Sequence, residues 1–252
     1  MPVRKKRKAA TKTSSISLPT EKKEVSNNVE DSLIFLYGPP KIGKSTFCSK
    51  IEDALFISTE PGLKFLSVLA VDCNSWQDFQ AIVDSLENSH DRYSCFVIDT
   101  VDILQKFCSA YVCENRNIDH PSDQEWGKGW EALSREWSHW LIKLAALGKG
   151  VIFIGHAQEK EVKSRGMTIT KIVPSMPNAG FKVINAMVDF ILFAGFESKK
   201  IKKDGKTKRV EHRVLYTKAT EGIEAGDRLG ILPITIEFDY DTFEEHFKGG
   251  GE

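Results

Sequence analysis

The chain has 252 residues, of which 41% are hydrophobic and 28% are charged. Its 35 basic and 35 acidic side chains cancel to a formal net charge of zero, which excludes a strong overall attraction to nucleic acid or to anionic membranes. The length is sufficient to bury one sizeable core, so we expect one globular domain with a tail.

No stretch of the sequence approaches the roughly 20 consecutive apolar residues that a membrane-spanning helix needs. No apolar, signal-like segment follows the basic N-terminus, and the five cysteines are scattered without a C-x-x-C pair. This cysteine pattern is typical of reduced thiols inside a cell. We therefore expect a cytoplasmic protein that is neither secreted nor bound to a membrane.

Residues 1–30 are predicted to form a disordered basic tail. A basic run from Arg4 to Lys8 precedes a Ser/Thr-rich stretch with few apolar side chains. Such a stretch cannot bury enough surface to offset the entropy of ordering it. Two interpretations are open: weak, salt-dependent binding to DNA phosphates, or a solvated tail that serves localisation or processing. The Gly-rich residues 248–252 are also expected to be flexible.

The segment 38–45 reads GPPKIGKS and matches the phosphate-binding P-loop pattern G-x-x-x-x-G-K-S. It follows an apolar run, Leu33–Tyr37, and precedes residues that can open a helix, which is the context that this motif requires. The glycines allow backbone N–H groups to point at phosphate oxygens, while Lys44 reaches the β- and γ-phosphates and Ser45 ligates Mg²⁺. We therefore predict a site for ATP and Mg²⁺ formed by Gly38, Pro39, Pro40, Lys41, Ile42, Gly43, Lys44, Ser45 and Thr46.

The sequence after the P-loop alternates apolar runs with helical patterns. Strands are predicted at 54–58, 68–71, 95–98, 151–155 and 190–193, and helices at 76–86 and 101–112. Continuous apolar strands separated by helices predict an α/β fold, in which a mostly parallel sheet is covered by helices on both faces. The domain at 31–247 is completed by a hairpin at 197–217 with an Asp204-Gly205 turn, a strand at 234–238 and a helix at 240–247.

The longest helical pattern, residues 124–147, carries four tryptophans, namely Trp126, Trp130, Trp137 and Trp140. Exposed aromatic rings of this kind could stack on nucleic-acid bases. Helical spacing, however, places all four on one stripe, and such a stripe normally packs on a sheet. We therefore interpret the four tryptophans as core residues.

Two acids follow predicted strands. Asp99 comes directly after the run 95–98 and is predicted to orient Mg²⁺ and its water shell, with Asp102 as the fallback. Glu60 follows the second strand, where a carboxylate can orient or deprotonate the water that attacks the γ-phosphate. The alternative for Glu60 is a turn acid before a Pro-Gly pair.

Two polar residues follow the strand 151–155. Either His156 or Gln158 could contact the γ-phosphate and report its loss to the following loop, 157–173. The alternative for His156 is a purely structural role, which is the commoner one for a single histidine.

Five segments together resemble a known family: the P-loop with Lys41, Thr59-Glu60-Pro61-Gly62, VIDT at 97–100, WGKGW at 126–130 and GHAQEK at 155–160. They are similar to phage-encoded AAA-type nucleotide-binding proteins, which resemble the RecA-like recombinase core and are associated with single-strand annealing or recombination. The resemblance covers residues 31–245 and implies a RecA-like P-loop NTPase fold. It implies that Glu60 is the catalytic base and that His156 or Gln158 is the sensor.

Such proteins complete the site with a basic residue from a neighbouring subunit, which implies a homo-oligomeric ring or filament. Lys218 and Arg228 are the candidates by position, with surface salt bridging as the alternative.

The loops after the sensor strand bind DNA in this family, so the resemblance implies candidate phosphate contacts at Lys160, Lys163, Arg165 and Lys171. The alternative is a solvated charged loop, and the lysine-rich tip of the 197–217 hairpin is a second, undecided candidate.

We therefore expect an ATPase that acts on single-stranded DNA in recombination, repair or replication, with single-strand-binding or recombination proteins as partners. Catalysis is assigned to Lys44, Glu60, Asp99 and His156. Two alternatives stay open: a P-loop kinase that phosphorylates a small molecule, and a nucleotide-gated DNA-binding module with little turnover.

Overall fold

The computed structural model describes residues 18–22, 25–164, 166–203 and 206–249. Most of the predicted basic tail, Arg165, the Asp204-Gly205 turn and residues 250–252 lie outside these ranges. The strands are β1 Leu33–Gly38, β2 Leu55–Ser58, β3 Leu69–Asp72, β4 Cys95–Asp99, β5 Gly150–Ser164, β6 Met167–Pro174, β7 Phe190–Lys203, β8 Lys206–Tyr216, β9 Gly226–Asp227 and β10 Thr235–Glu237. The helices are α1 Lys44–Cys48, α2 Trp76–Leu86, α3 Val101–Arg116, α4 Lys128–Ala145, α5 Asn178–Met187 and α6 Tyr240–Gly249.

The central sheet has the strand order β10-β8-β7-β1-β5-β4-β2-β3. Neighbours from β7 to β3 are parallel, whereas β8 and β10 add an antiparallel edge. The strand β5 lies between β1 and β4, so the three carboxyl ends are adjacent at one edge of the sheet. The predicted α/β fold, with a mostly parallel sheet and a C-terminal hairpin, is confirmed.

Helices cover both faces of the sheet, as predicted. Side chains of β1 alternate between the faces: Phe35 and Tyr37 join the core formed with α2 to α5, and Ile34 and Leu36 join the core formed with α1 and α6. The continuous apolar run of β1 follows from this arrangement, because every side chain of a strand covered on both faces is buried. None of the helices in the described ranges has the length and apolarity needed to cross a membrane.

The tryptophan stripe is only partly in the core. Trp137 is buried, and its Nε1 donates to the Gly180 carbonyl at 3.3 Å, while Trp140 is half-buried against the same core. Trp126 is 90% exposed and Trp130 is 37% exposed, so the core interpretation is wrong for these two. For Trp126 the reason is that α4 begins only at Lys128, so this residue lies before the helix, with a left-handed φ of 61°. Trp130 lies in the first turn of α4, where its ring contacts His120.

The segment after His156 is not the predicted loop. β5 continues to Ser164 and pairs antiparallel with β6, forming a two-stranded ribbon, which we call the β5–β6 ribbon. Its side chains are mostly exposed, and residues 158–163 contain one apolar side chain, so the continuation of β5 lacks the apolar pattern by which a strand is recognised. The helix α5, which follows Pro177, was not predicted.

Candidate functional site

The P-loop connects the carboxyl end of β1 to α1. It lies at the edge of the sheet where the parallel pairing of β4 with β5 also ends, at Asp99 and Ile154. Gly43 has φ 111° and Lys41 has φ 65°, and this left-handed backbone curls the loop. A Cβ atom at Gly38 would lie 2.5 Å from the Ala194 carbonyl oxygen of β7. Glycine is therefore required at position 38 because the backbone of β7 lies too close for a side chain, and at position 43 because the backbone there is left-handed.

Lys44 begins α1 and is buried, with 6% of its surface exposed. Its Nζ donates to the carbonyl oxygens of Gly38 and Pro39, each at 3.0 Å. Burial lowers the pKa of Lys44, while the nearby carboxylates of Asp99, Asp102 and Glu60 act in the opposite direction. The ammonium group thus lies along the inside of the loop, facing a group of acids.

Ser45 and Asp99, the two predicted magnesium ligands, are in direct contact. The Ser45 Oγ donates to Asp99 Oδ2 at 2.6 Å. Burial raises the pKa of Asp99, and the bond from Ser45 lowers it. A hydroxyl and a carboxylate oxygen fit Mg²⁺, which accepts one or two protein oxygens and takes the rest from phosphates and water. Among the described residues, no group of three or more His, Cys, Asp or Glu side chains could hold a metal ion.

Glu60 lies after β2 and is held by Thr100, which follows β4. Thr100 Oγ1 donates to Glu60 Oε1 at 2.6 Å. Thr59 Oγ1 donates to the Thr100 carbonyl at 2.9 Å and accepts from the Thr100 N–H at 2.8 Å. The two strand ends are therefore cross-linked through threonine hydroxyls. The sequence reasoning missed this role of Thr100, whose only signal was a hydroxyl directly after the acid that ends β4.

His156 is paired in register with Gly38, so its side chain stands beside the P-loop. Its Nδ1 is 2.9 Å from Oδ2 of Asp102, a buried residue in the first turn of α3. Asp102 therefore contacts His156, whereas the acid in contact with Ser45 is Asp99. Gln158 has its Nε2 bonded to the Pro174 carbonyl at 3.1 Å, within the β5–β6 ribbon.

One cavity of about 510 Å³ brings most of the predicted site residues together. It is lined by Pro40, Lys41, Gly43, Lys44, Ser45, Thr46, Glu60, Pro61, Gly62, Phe65, Leu66, Asp99, Thr100 and His156. A larger cavity of about 680 Å³ lies between α4 and α5, and none of the predicted site residues line it. The residues predicted to contact phosphate, metal and water therefore line the first cavity.

A family model for the AAA domain matches residues 30–229. The chain belongs to this AAA domain family. A curated relative, the SPbeta prophage-derived uncharacterized protein YorG of Bacillus subtilis (strain 168), is 30% identical over 141 residues, which is 54% of this chain and 44% of the relative. The chain thus matches less than half of that relative's length. The cavity described above is the P-loop cleft of an AAA-type nucleotide-binding domain.

The candidate DNA contacts of this AAA domain lie on the β5–β6 ribbon, except for Arg165, which is outside the described residues. Lys160 and Lys163 are exposed on β5, but they are three residues apart and so point to opposite faces of the ribbon. Lys171 lies opposite Lys160 and is ion-paired with Glu224. The three lysines therefore do not form one continuous basic face.

The two candidates for a basic residue acting on a neighbouring subunit differ in their surroundings. Arg228 pairs with Asp189 Oδ1 at 2.9 Å, and Asp189 Oδ2 accepts the N–H of Leu33 at 3.0 Å. This places Arg228 at the amino end of β1, away from the P-loop of its own chain. Lys218 is half-buried in the segment that follows β8.

Proposed function

We propose that the protein binds Mg²⁺–ATP in the P-loop cleft and hydrolyses it. The observation that carries this proposal is the convergence of Lys44, the Ser45–Asp99 pair, Glu60 and His156 on one cavity. Bound Mg²⁺ would supply positive charge that offsets the charge of the phosphates. Its ligands on this chain would be Ser45 and Asp99.

Glu60 is the proposed base for the attacking water. The bond from Thr100 occupies Oε1, which leaves Oε2 available to accept a proton from the water. A base must lie within hydrogen-bond reach of the proton that it removes. The Thr100 bond supports this role because it fixes the carboxylate at the edge of the cleft.

His156 is the proposed sensor of the γ-phosphate. Its bond to Asp102 fixes Nδ1 and leaves Nε2 for the cleft, which His156 lines. Gln158 is the weaker candidate, since its amide is bonded within the ribbon. Because His156 and the ribbon belong to one strand, β5, a shift of His156 on loss of the γ-phosphate would be transmitted to the ribbon.

We further propose that the protein acts on single-stranded DNA as a ring or filament, in recombination, repair or replication. Lys160 and Lys163 are exposed on opposite faces of the ribbon, so one of the two would contact a phosphate, and Lys218 or Arg228 would act on the next subunit. Single-strand-binding or recombination proteins are the proposed partners. The similarity to a prophage-derived relative supports a role in the cytoplasm of a bacterial host.

The test is phosphate release from ATP at several salt concentrations, with single-stranded DNA, with double-stranded DNA and without DNA. We expect Mg²⁺-dependent release that single-stranded DNA stimulates, and stimulation that fades as salt rises. Phosphate that appears on an added nucleoside or metabolite would indicate a kinase. Tight ATP binding with negligible single-turnover hydrolysis, with or without DNA, would indicate a nucleotide-gated binding module.

A further inference from the structure

The direction of a bound triphosphate follows from the strand order. The groups assigned to the γ-phosphate come from β2, β4 and β5, which all lie on one side of β1. On the other side of β1 lie β7 and β8. A triphosphate laid across the P-loop with its γ-phosphate among those groups therefore directs its nucleoside toward the β7–β8 hairpin.

The β7–β8 hairpin extends past the P-loop on that side. Ala194 of β7 is level with Gly38, as the contact of its carbonyl with the Gly38 position shows. Two residues further along, Phe196 is paired with Arg213 of β8. Because side chains two residues apart share a face, Phe196 and Arg213 lie on the face of the buried Ala194, the one that α1 covers. The two side chains therefore flank the P-loop and α1.

Arg213 is fixed to the P-loop. Its Nη1 donates to the Ile42 carbonyl at 3.0 Å, and its guanidinium lies 5.9 Å from the ring of Phe238. Phe238 in turn stacks on Phe47 of α1, with ring centroids 5.1 Å apart and an interplanar angle of 3°. Within the described residues no carboxylate forms an ion pair with Arg213. A guanidinium without an acidic partner thus stands beside the phosphate loop.

Phe196 lies across the strand pair from Arg213 and is 55% exposed. Residues directly opposite each other on an antiparallel pair have Cβ atoms roughly 5 Å apart, so the ring stands next to the Arg213 side chain. An exposed aromatic ring beside a phosphate loop offers a flat apolar surface of the kind on which nucleobases stack.

We propose that the base of the bound nucleotide stacks on Phe196, and that Arg213 is a positioning residue that holds the loop through Ile42. This inference rests on the proposed binding of ATP in the P-loop cleft. Stacking requires only a π-face, so Phe196 provides affinity for the nucleoside half, whereas the P-loop provides affinity for the phosphates.

The experiment compares two ligands by isothermal titration calorimetry in Mg²⁺: the non-hydrolysable β,γ-imido analogue of ATP, and inorganic tripolyphosphate, which has no base. For Phe196→Ala we expect about tenfold weaker binding of the analogue and unchanged binding of tripolyphosphate. Phe196→Tyr keeps an aromatic face and should bind both ligands as the wild type does. Val210→Ala is the matched control, since Val210 is exposed on the opposite face of the same hairpin.

The outcomes separate this inference from the proposed function. If Phe196→Ala binds the analogue as tightly as the wild type does, stacking on Phe196 is wrong although ATP binding stands. If Phe196→Ala weakens both ligands equally, the ring supports the loop, and the base contact is again wrong. If the wild type binds neither ligand, the proposed function itself fails. Phe196→Tyr keeps the test valid if Phe196→Ala is poorly folded, because loss of analogue binding in the tyrosine variant also contradicts stacking.

Discussion

The bond between Thr100 and Glu60 provides the sharpest test of the assignment of the catalytic base. Replacing Thr100 with valine removes the hydroxyl that donates to Glu60 Oε1 at 2.6 Å and keeps the shape of the side chain. Thr100 is 4% exposed, so valine can occupy its site without a polar group left behind. The two hydrogen bonds between the Thr100 backbone and the Thr59 hydroxyl do not involve the Thr100 hydroxyl, so they are retained.

A hydrogen bond to a charged group is worth about 1.5–3 kcal/mol, which corresponds to roughly 10- to 100-fold in rate if all of it positions the base. Glu60 is half-exposed, so water can replace part of the bond, and we expect the lower end, about a tenfold fall in kcat. Affinity for ATP should not change, because Thr100 positions the base and not the phosphates.

The assay is steady-state phosphate release with Thr100→Val, together with calorimetric titration of the β,γ-imido analogue. Thr100→Ser restores the hydroxyl and should recover most of the lost turnover. Turnover of Thr100→Val within twofold of the wild type, while Glu60→Gln is inactive, would refute the positioning role. Loss of analogue affinity in place of turnover would also refute it.

Three further predictions concern the same cleft. Lys44→Ala should abolish nucleotide binding, measured by calorimetry, whereas Lys50→Ala, at an exposed position two residues after α1, should not. Glu60→Gln should keep analogue binding and lose phosphate release, and full release in this variant would overturn the base assignment. Burial raises the folded-state pKa of Asp99 above its unfolded value, so the ionised carboxylate costs stability at neutral pH. Asp99→Asn should therefore raise Tm in a thermal melt and abolish Mg²⁺-dependent release, and an unchanged or lower Tm would contradict this.

The phosphate loop and the strand ends could be predicted from the sequence because each is a contiguous pattern with one chemical meaning. The G-x-x-x-x-G-K-S segment lies at the end of a buried strand. Glu60 comes two residues after β2, Asp99 ends β4, and His156 directly follows the buried part of β5. Parallel strands carry their carboxyl ends to one edge of a sheet, so these residues had to approach one another once the fold class was correct.

The contacts that hold the site could not be predicted, because they join residues far apart in the chain. Thr100 and Glu60 are 40 residues apart, His156 and Asp102 are 54 apart, and Arg213 and Ile42 are 171 apart. Each contact depends on strand order and register, which hydrophobic periodicity does not encode.

The boundaries that the sequence reasoning placed wrongly have a common cause. The outer part of the β5–β6 ribbon is exposed, and the stretch of β5 from Gln158 to Lys163 has one apolar residue, Val162, so no apolar run marks it as a strand. Trp126 shares the spacing of a helix that begins two residues later, at Lys128. In both cases the pattern used for prediction reports burial, and the segments concerned are exposed.

The bond from Arg213 to the Ile42 carbonyl joins the hairpin to the loop of the nucleotide site. A ligand that shifts the hairpin and breaks this bond would change the affinity of the loop for phosphate. By the reciprocity of coupled equilibria, nucleotide must change the affinity of the hairpin for that ligand by the same factor.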